Sequence, residues 1–169
     1  PTSGTGRAPA LALGRLGADV VVHGRDEQAG AAVVEELSRT GADATFLRAD
    51  FADTDAVREL ATAVRAETDG LDLLVNNAGG LFRDGGLTDL GVERTFHVNH
   101  LSPYLLTARL LDHLEPDARV VTPASAAHPG AELPLERRRE AARLTGLAAS
   151  SHQKPATLLF AARVALRLG

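Results

Sequence analysis

Apolar residues in this chain form four short runs, separated by segments in which apolar positions recur with helical spacing. The runs predict buried β-strands at 18–24, 42–50, 71–79 and 118–125. Alternation of short strands with helices is typical of an α/β domain built on a parallel sheet. The 169 residues contain no internal repeat and no linker-like stretch, so we expect one domain over 1–169.

Two segments between these runs carry helix signals. Asp26 is suited to cap a helix that ends at Gly41, and Thr54 is suited to cap the next helix. The second helix has apolar residues at i, i+3, i+4 and i+7, the spacing of a buried helix face. This predicted core face consists of Val57, Leu60, Ala61 and Val64.

The second half of the chain is less regular. A longer helix is predicted over 91–112, bent at Pro103 because proline lacks the N–H that a continuous helix needs. An irregular stretch follows at 126–147, and a last helix is predicted over about 150–168.

Composition and charge exclude several classes of function. A net charge of -4 and a pI near 5.9 give no basic surface for nucleic acid, and the run ERRRE at 136–140 is flanked by acids, which favours a solvated face. The absence of cysteine excludes disulfides and thiolate metal sites and is consistent with a reducing compartment. No apolar run approaches the roughly 20 residues of a membrane span, so we expect a soluble chain and, with the lack of cysteine, a cytoplasmic location.

Two histidines of the chain have a spacing that invites a metal hypothesis. His97 and His100 lie at i and i+3, but no carboxylate or third histidine completes a site. We therefore expect a partly buried, hydrogen-bonded pair and no metal.

The start of the chain, PTSGTGRAPALALG, places a Gly-x-Gly turn directly before a predicted helix. Ser3, Gly4 and Gly6 would let backbone N–H groups approach a phosphate at the N-terminus of that helix. Taken alone, such a turn is more often an ordinary turn than a nucleotide site.

Motifs along the whole chain, in the same order, resemble those of the short-chain dehydrogenase/reductase family, most closely its retinol-dehydrogenase-like branch. TSGTG is similar to the end of the family's glycine-rich turn, and SSHQK stands where the family has its Tyr-x-x-x-Lys motif. The other matching segments are GRD (24–26), ADF (49–51), NNAG (76–79), HVNHLSPYLLT (97–107) and RVVTPASAAH (119–128). The resemblance implies a Rossmann-type doubly wound parallel sheet with three α/β/α layers.

The same resemblance implies that parts of the family's sheet are missing from the chain. The family's first strand, at the centre of its sheet, would precede Pro1, and one or two strands would follow Gly169. Without the central strand its two neighbours would stand roughly 10 Å apart. We therefore expect a piece of a longer protein, or alternatively a decayed reading frame.

The candidate cofactor residues follow the predicted strands. Asn77, Ala78 and Gly79 would form a small-residue floor for ribose and nicotinamide, with a plain strand-to-loop turn as an equal alternative. By the resemblance, Asp50 would accept a hydrogen bond from the adenine amino group, with Phe51 beside it. The alternative for Asp50 is a loop aspartate that caps the next helix.

The choice of cofactor depends on Arg25. In Rossmann sites an acid after the second strand binds the ribose 2′-hydroxyl of NAD, whereas a nearby arginine accommodates the 2′-phosphate of NADP. Here the order is His23, Gly24, Arg25, and the acid comes only at Asp26, which favours NADP(H) over NAD(H). The alternative for Arg25 is an ordinary surface residue.

The resemblance places the catalytic positions at Asn99, Ser125, Ser150 and Lys154. Asn99 would mark a helix kink, and Ser125 would hold the substrate oxygen. Lys154, the one lysine of the chain, would bind the nicotinamide ribose and lower the pKa of a neighbouring phenol. Ser150 occupies the tyrosine position, where an aliphatic hydroxyl neither ionises like a phenol nor reaches as far.

Two other residues bear on the missing phenol. Tyr104, the only tyrosine, lies about 140° around a helix from Asn99, so we expect it to face the core rather than replace that phenol. Pro155 follows Lys154 directly and removes a helix N–H.

These features predict an NADP(H)-dependent oxidoreductase that acts on an alcohol or carbonyl of a small apolar molecule. A catalytically impaired relative that binds a dinucleotide or a protein partner is the alternative, because Ser150 removes the phenol. A non-redox enzyme that uses Ser125 and Lys154 is a third alternative, for which no sequence feature argues. The sequence leaves open whether the protein forms a homo-oligomer.

Overall fold

The computed structural model describes residues 6–80, 82 and 86–123. The helices are α1 (Arg7–Arg15), α2 (Glu27–Ser38), α3 (Thr54–Glu67), α4 (Arg94–Phe96) and α5 (Ser102–Leu110). The strands are β1 (Val20–Gly24), β2 (Ala44–Arg48), β3 (Leu71–Val75) and β4 (Leu114–Val121). The predicted last helix and the sites predicted at Ser3, Gly4, Ser125, Ser150 and Lys154 lie outside the described residues.

The described strands form two parallel pairs, β1 with β2 and β3 with β4. β1 and β2 are aligned from Val20 opposite Ala44 to Gly24 opposite Arg48, without irregularity. β3 and β4 end together, with Val75 opposite Val121. Parallel pairs with helical connections confirm the α/β class predicted from the alternating pattern.

The last strand differs from its prediction at 118–125. β4 begins at Leu114, which pairs with Leu71, and ends at Val121. The next pair is Leu73 with Arg119. Between these two pairs β4 has several residues where β3 has one, which is a shift in register. The apolar run therefore marked only the regular half of the strand, because the polar residues that precede it carry no strand pattern.

Helices cover both faces of the strands and make three α/β/α layers. On one face, Val22 of β1 packs with Leu11 of α1 and with Val33 and Leu37 of α2. On the other face, a larger cluster joins α3 and α5, and Val21 of β1 packs against it. Successive residues of β1 thus serve opposite layers, as the alternation of side chains along a strand requires.

Two N-caps were predicted, Asp26 for α2 and Thr54 for α3. Asp26 caps α2 as predicted, since its Oδ1 accepts a hydrogen bond from the Ala29 N–H at 3.0 Å. The prediction of Thr54 as the next cap is wrong. Asp53 is the N-cap of α3, and its Oδ1 accepts from the N–H groups of Asp55 and Ala56 at 2.9 and 3.2 Å. A carboxylate one residue earlier is the stronger acceptor for these N–H groups.

The predicted core face of α3 is confirmed, because Val57, Leu60, Ala61 and Val64 are all buried. Among the described residues, no helix has the length and apolar character that crossing a membrane requires.

The single helix predicted over 91–112 is divided in the structure. The short helix α4 is followed by a π-helical turn, His97–Leu101, before α5 begins. Pro103 lies at the start of α5, where proline is tolerated, and it has no N–H with which to close a regular bond to the Asn99 carbonyl. The backbone irregularity expected at Asn99 is therefore confirmed, and it takes the form of a π turn.

The expectation that Tyr104 faces the core is wrong. Its side chain is 51% exposed, whereas the buried face of α5 is formed by Ser102, Pro103, Leu106, Thr107 and Leu110. Tyr104 does lie on a different side of the helix from Asn99, but that side is not the buried one. An angle measured from one residue does not determine which side of a helix meets the core.

Candidate cofactor and active site

Most of the described candidate residues lie where parallel strands end. Arg25 follows β1, Asp50 and Phe51 follow β2, and the segment 76–80 follows β3. This carboxyl edge is where ligands bind in open parallel sheets. Gly6 is the N-cap residue of α1, as the Gly-x-Gly interpretation requires.

The segment after β3 is held by Asn99 through two hydrogen bonds. The Gly80 N–H donates to Asn99 Oδ1 at 2.8 Å, and Asn99 Nδ2 donates to the Gly80 carbonyl at 2.8 Å. A Cβ atom on Gly79 would stand 3.0 Å from Asn99 Oδ1, a tight contact, so a larger residue there would require Asn99 to shift by a few tenths of an ångström. We call this pair of bonds the Asn99–Gly80 clamp.

Replacing Asn99 with alanine should release this clamp. Two hydrogen bonds are lost, which together are worth about 1–3 kcal/mol, so amide hydrogen exchange at Gly80 should accelerate roughly tenfold or more. Asn77→Ala, at the same strand end, is the matched control and should leave the Gly80 exchange rate unchanged. An unaltered Gly80 rate in Asn99→Ala would show that the clamp does not form in solution.

Asn76 is a structural residue that the motif analysis did not single out. It is buried, its Nδ2 donates to Thr107 Oγ1 at 3.0 Å and to Thr122 Oγ1 at 3.4 Å, and its N–H donates to the Val121 carbonyl at 2.8 Å. These bonds join the ends of β3 and β4 to α5. A polar residue that directly follows an apolar strand was the sequence signal that could have revealed it.

The loop after β2 is shaped by its own residues. Asp50 Oδ1 accepts a hydrogen bond from the Ala52 N–H at 2.9 Å. This carboxylate therefore stabilises the turn of its own loop and does not cap α3. Phe51 is buried, and its carbonyl accepts a 2.6 Å hydrogen bond from Ser102 Oγ. The predicted alternative for Asp50, a helix cap, is therefore wrong.

His23 lies against this loop and was also missed as a site residue. Its ring stacks on the Phe51 ring, with centroids 4.6 Å apart and planes 16° from parallel. Its Nδ1 is shielded from solvent and has no hydrogen-bond partner in the described structure. The pKa of His23 is lowered to about 4, mainly by burial.

Two guanidinium groups lie at the ends of β1 and β2. Arg25 is exposed, and Arg48 Nε donates to the Arg25 carbonyl at 3.4 Å while standing 3.7 Å from a Glu27 carboxylate oxygen. The nearest acid after β1, Asp26, has one oxygen engaged in capping α2. Arg48 is thus a second basic residue beside the end of β1, brought there because Gly24 pairs with Arg48 in the β1–β2 register.

The two histidines of the π turn have different contacts. His97 is buried and its Nδ1 lies 2.8 Å from Thr88 Oγ1, whereas the His100 ring tilts against Phe96 with centroids 5.0 Å apart. Burial lowers the pKa of His97, although nearby carboxylates, namely those of Asp50, Asp53 and Asp89, act in the opposite direction.

The described part of the chain holds no group of three or more His, Cys, Asp or Glu side chains placed to bind a metal ion. The structure does bring Asn99 to the segment after β3, and it brings His23 and Ser102 to the loop after β2. The described candidate residues therefore lie at the carboxyl ends of the strands, with the small residues of 77–80 after β3 and the basic Arg25 and Arg48 at the ends of β1 and β2.

Comparison with known proteins decides the family. A model of the short chain dehydrogenase family matches residues 1–132, which is most of the chain. The chain belongs to the short-chain dehydrogenase family.

Two curated relatives show how far the similarity extends. Polyprenol dehydrogenase of Mus musculus is 42% identical over 135 residues, which cover 75% of this chain and 40% of the relative. Retinol dehydrogenase 12 of Mus musculus is 34% identical over 170 residues, covering 98% of this chain and 54% of the relative. The similarity confirms the retinol-dehydrogenase-like branch. The chain spans about half the length of the curated relatives it matches.

A solved structure supports the fold. A metagenomic short-chain oxidoreductase in complex with NADP matches this structure with a TM-score of 0.78 at 27% identity, covering 99% of this chain and 74% of that chain. The Rossmann-type fold predicted from the motifs is thereby confirmed, and the homologues are oxidoreductases.

Proposed function

We propose that this short-chain dehydrogenase binds NADP(H) and acts on an alcohol or carbonyl carbon of a small apolar substrate. The observation that carries the proposal is the Asn99–Gly80 clamp. In it Asn99, the asparagine that the resemblance assigns to catalysis, meets the strand end whose small residues would receive the nicotinamide ribose. Bound NADP(H) would supply or accept the hydride.

Different segments of the chain would bind different parts of the cofactor. The turn of Ser3, Gly4 and Gly6 at the start of α1 would offer N–H groups to the pyrophosphate. Asn77, Ala78 and Gly79 would lie under the ribose and nicotinamide, and Asp50 with Phe51 would border the adenine. Gly79 fits this assignment because a side chain on it would crowd the Asn99 amide that forms the clamp.

The catalytic residues of the proposal are Asn99, Ser125 and Lys154. Ser125 would donate a hydrogen bond to the substrate oxygen, and Lys154 would hold the nicotinamide ribose. Ser150 stands at the position of the proton-transferring residue. An apolar substrate is supported by the names of the relatives, which are dehydrogenases of polyprenol and of retinol.

The preference for NADP(H) is tested through Arg25. We expect the protein to bind NADPH more tightly than NADH, and we expect Arg25→Ala to weaken NADPH binding about 10- to 100-fold. A charge-assisted contact to phosphate is worth about 1.5–3 kcal/mol, whereas NADH has no 2′-phosphate and should be little affected. Nicotinamide fluorescence gives both dissociation constants.

The matched control is Arg39→Ala, because Arg39 is an exposed arginine at the far end of α2 whose partner is Glu35. It should change neither affinity. Equal affinities of the unmodified protein for NADPH and NADH would remove Arg25 from the site.

Ser150 supports a second candidate, a dinucleotide-binding relative with little or no turnover. In that case NADPH fluorescence would report binding, while a panel of apolar ketones and aldehydes would not be reduced. Measurable NADPH oxidation that depends on the carbonyl compound would exclude it.

The location and assembly of the protein are further proposals. The absence of cysteine supports a reducing compartment such as the cytoplasm. The proposed partners are the cofactor and a small-molecule substrate. The net charge of -4 does not favour nucleic acid, and a homo-oligomer is tested by light scattering.

A further inference from the structure

His97 is a deeply buried histidine to which the proposed reaction assigns no role. It is the first residue of the π turn and only 2% exposed. Its Nδ1 lies 2.8 Å from Thr88 Oγ1, and its Nε2 lies 3.5 Å from Thr54 Oγ1. One imidazole thus contacts the turn at 88–92, the first residue of α3 and, through the backbone, the π turn that carries Asn99.

The bonds of Thr88 decide which nitrogen of His97 carries the proton. Thr88 Oγ1 donates its hydrogen to the Val92 carbonyl at 3.2 Å, so it accepts a hydrogen bond from His97 Nδ1. Nε2 is then the acceptor that faces the Thr54 hydroxyl. The neutral imidazole therefore has one donor and one acceptor, and each faces a threonine.

The far end of the π turn is held to the same loop. Ser102, the first residue of α5, donates to the Phe51 carbonyl at 2.6 Å. The loop 50–54 therefore contacts both ends of the π turn, through Ser102 at one end and His97 at the other. Asn99 lies between these two contacts, at the point where it meets Gly80.

We infer that His97 is a positioning residue, whose hydrogen bond to Thr88 and contact with Thr54 hold the π turn so that Asn99 meets Gly80. The loop 50–54, which would border the adenine, is held in the same arrangement. The inference rests on the proposed function only where NADPH binding is used to detect it. The Asn99–Gly80 clamp itself reports on the chain without any ligand.

The test compares two conservative variants. In His97→Asn the amide nitrogen stands near the place of Nδ1 and can still donate to Thr88, whereas in His97→Gln the amide lies nearer the place of Nε2. A lost hydrogen bond corresponds to roughly a factor of ten. We expect Gly80 amide exchange to accelerate roughly tenfold in His97→Gln but less than about threefold in His97→Asn, with NADPH affinity following the same order.

Thr88→Val keeps the shape of the partner and removes its acceptor, so it should reproduce His97→Gln. Unchanged Gly80 exchange in His97→Gln would overturn the inference. Equal acceleration in the Asn and Gln variants, together with equal losses in melting temperature, would also overturn it, because the histidine would then serve packing alone. If the unmodified protein binds no NADPH but Gly80 responds as expected, the proposed function fails and the positioning role stands.

Discussion

Replacing Ser150 with tyrosine should raise the rate of NADPH-dependent reduction of apolar ketones and aldehydes by about 10²- to 10⁴-fold. This is the usual contribution of a positioned general acid, and it corresponds to roughly 2.7–5.4 kcal/mol of the activation barrier. Lys154 follows four residues later, and on the helix predicted from the sequence this spacing would put both side chains on one face, where the ammonium group would lower the pKa of the new phenol. Initial rates at matched cofactor occupancy measure the effect.

Three variants make the test specific. Ser151→Tyr adds the same phenol about 100° further around the predicted helix and should give no gain. Lys154→Met in the Ser150→Tyr background should remove most of the gain, because the phenol loses its neighbouring cation. Pro155→Ala added to Ser150→Tyr should increase the rate further if Pro155 distorts the helix that aims residue 150. An unmodified protein as active as Ser150→Tyr would show that another group or a water moves the proton.

Acidification from pH 7 to 5 should destabilise the protein by about 2 kcal/mol through His23 alone, and by about 3 kcal/mol once pH falls below 4. The pKa of His23 is lowered in the folded state from 6.5 to about 4, so between these values the unfolded state binds more protons. Stability is therefore complete above pH 6.5 and is lost as the pH falls towards 4. His97, whose pKa is lowered as well, adds to the loss in the same direction.

Urea unfolding of the unmodified protein and of His23→Phe across this pH range isolates the contribution of His23. Phenylalanine keeps a flat ring against Phe51 and removes the titrating nitrogen, so the variant should lose less stability on acidification. His113→Gln is the control, since His113 is bonded to Thr68 Oγ1 away from this loop, and it should retain the steep dependence. Parallel pH profiles for the unmodified protein and His23→Phe would mean that His23 has the same pKa in the folded and unfolded states.

The sequence by itself was sufficient for features that arise from neighbouring residues. The α/β alternation, the Asp26 cap and the core face of α3 are each visible as a pattern of residue types within one short segment, and all three are confirmed. The ordered motifs predicted the family and the Rossmann-type fold, which the comparisons confirm. Even local signals were ambiguous where two acceptors competed, as Asp53 and Thr54 did at the start of α3.

Only the tertiary structure decided how separate segments meet. Asn99 and Gly80 are 19 residues apart, and the π turn that aligns them has no local signature beyond an asparagine and a following proline. His23 and Phe51 stack because β1 and β2 are in register, and no single segment contains that information. The side of α5 that is buried, and hence the exposure of Tyr104, is likewise set by packing against α3 and the strands. Hydrogen bonds and packing between distant segments depend on how the strands and helices are assembled, and periodicity within one segment does not specify that assembly.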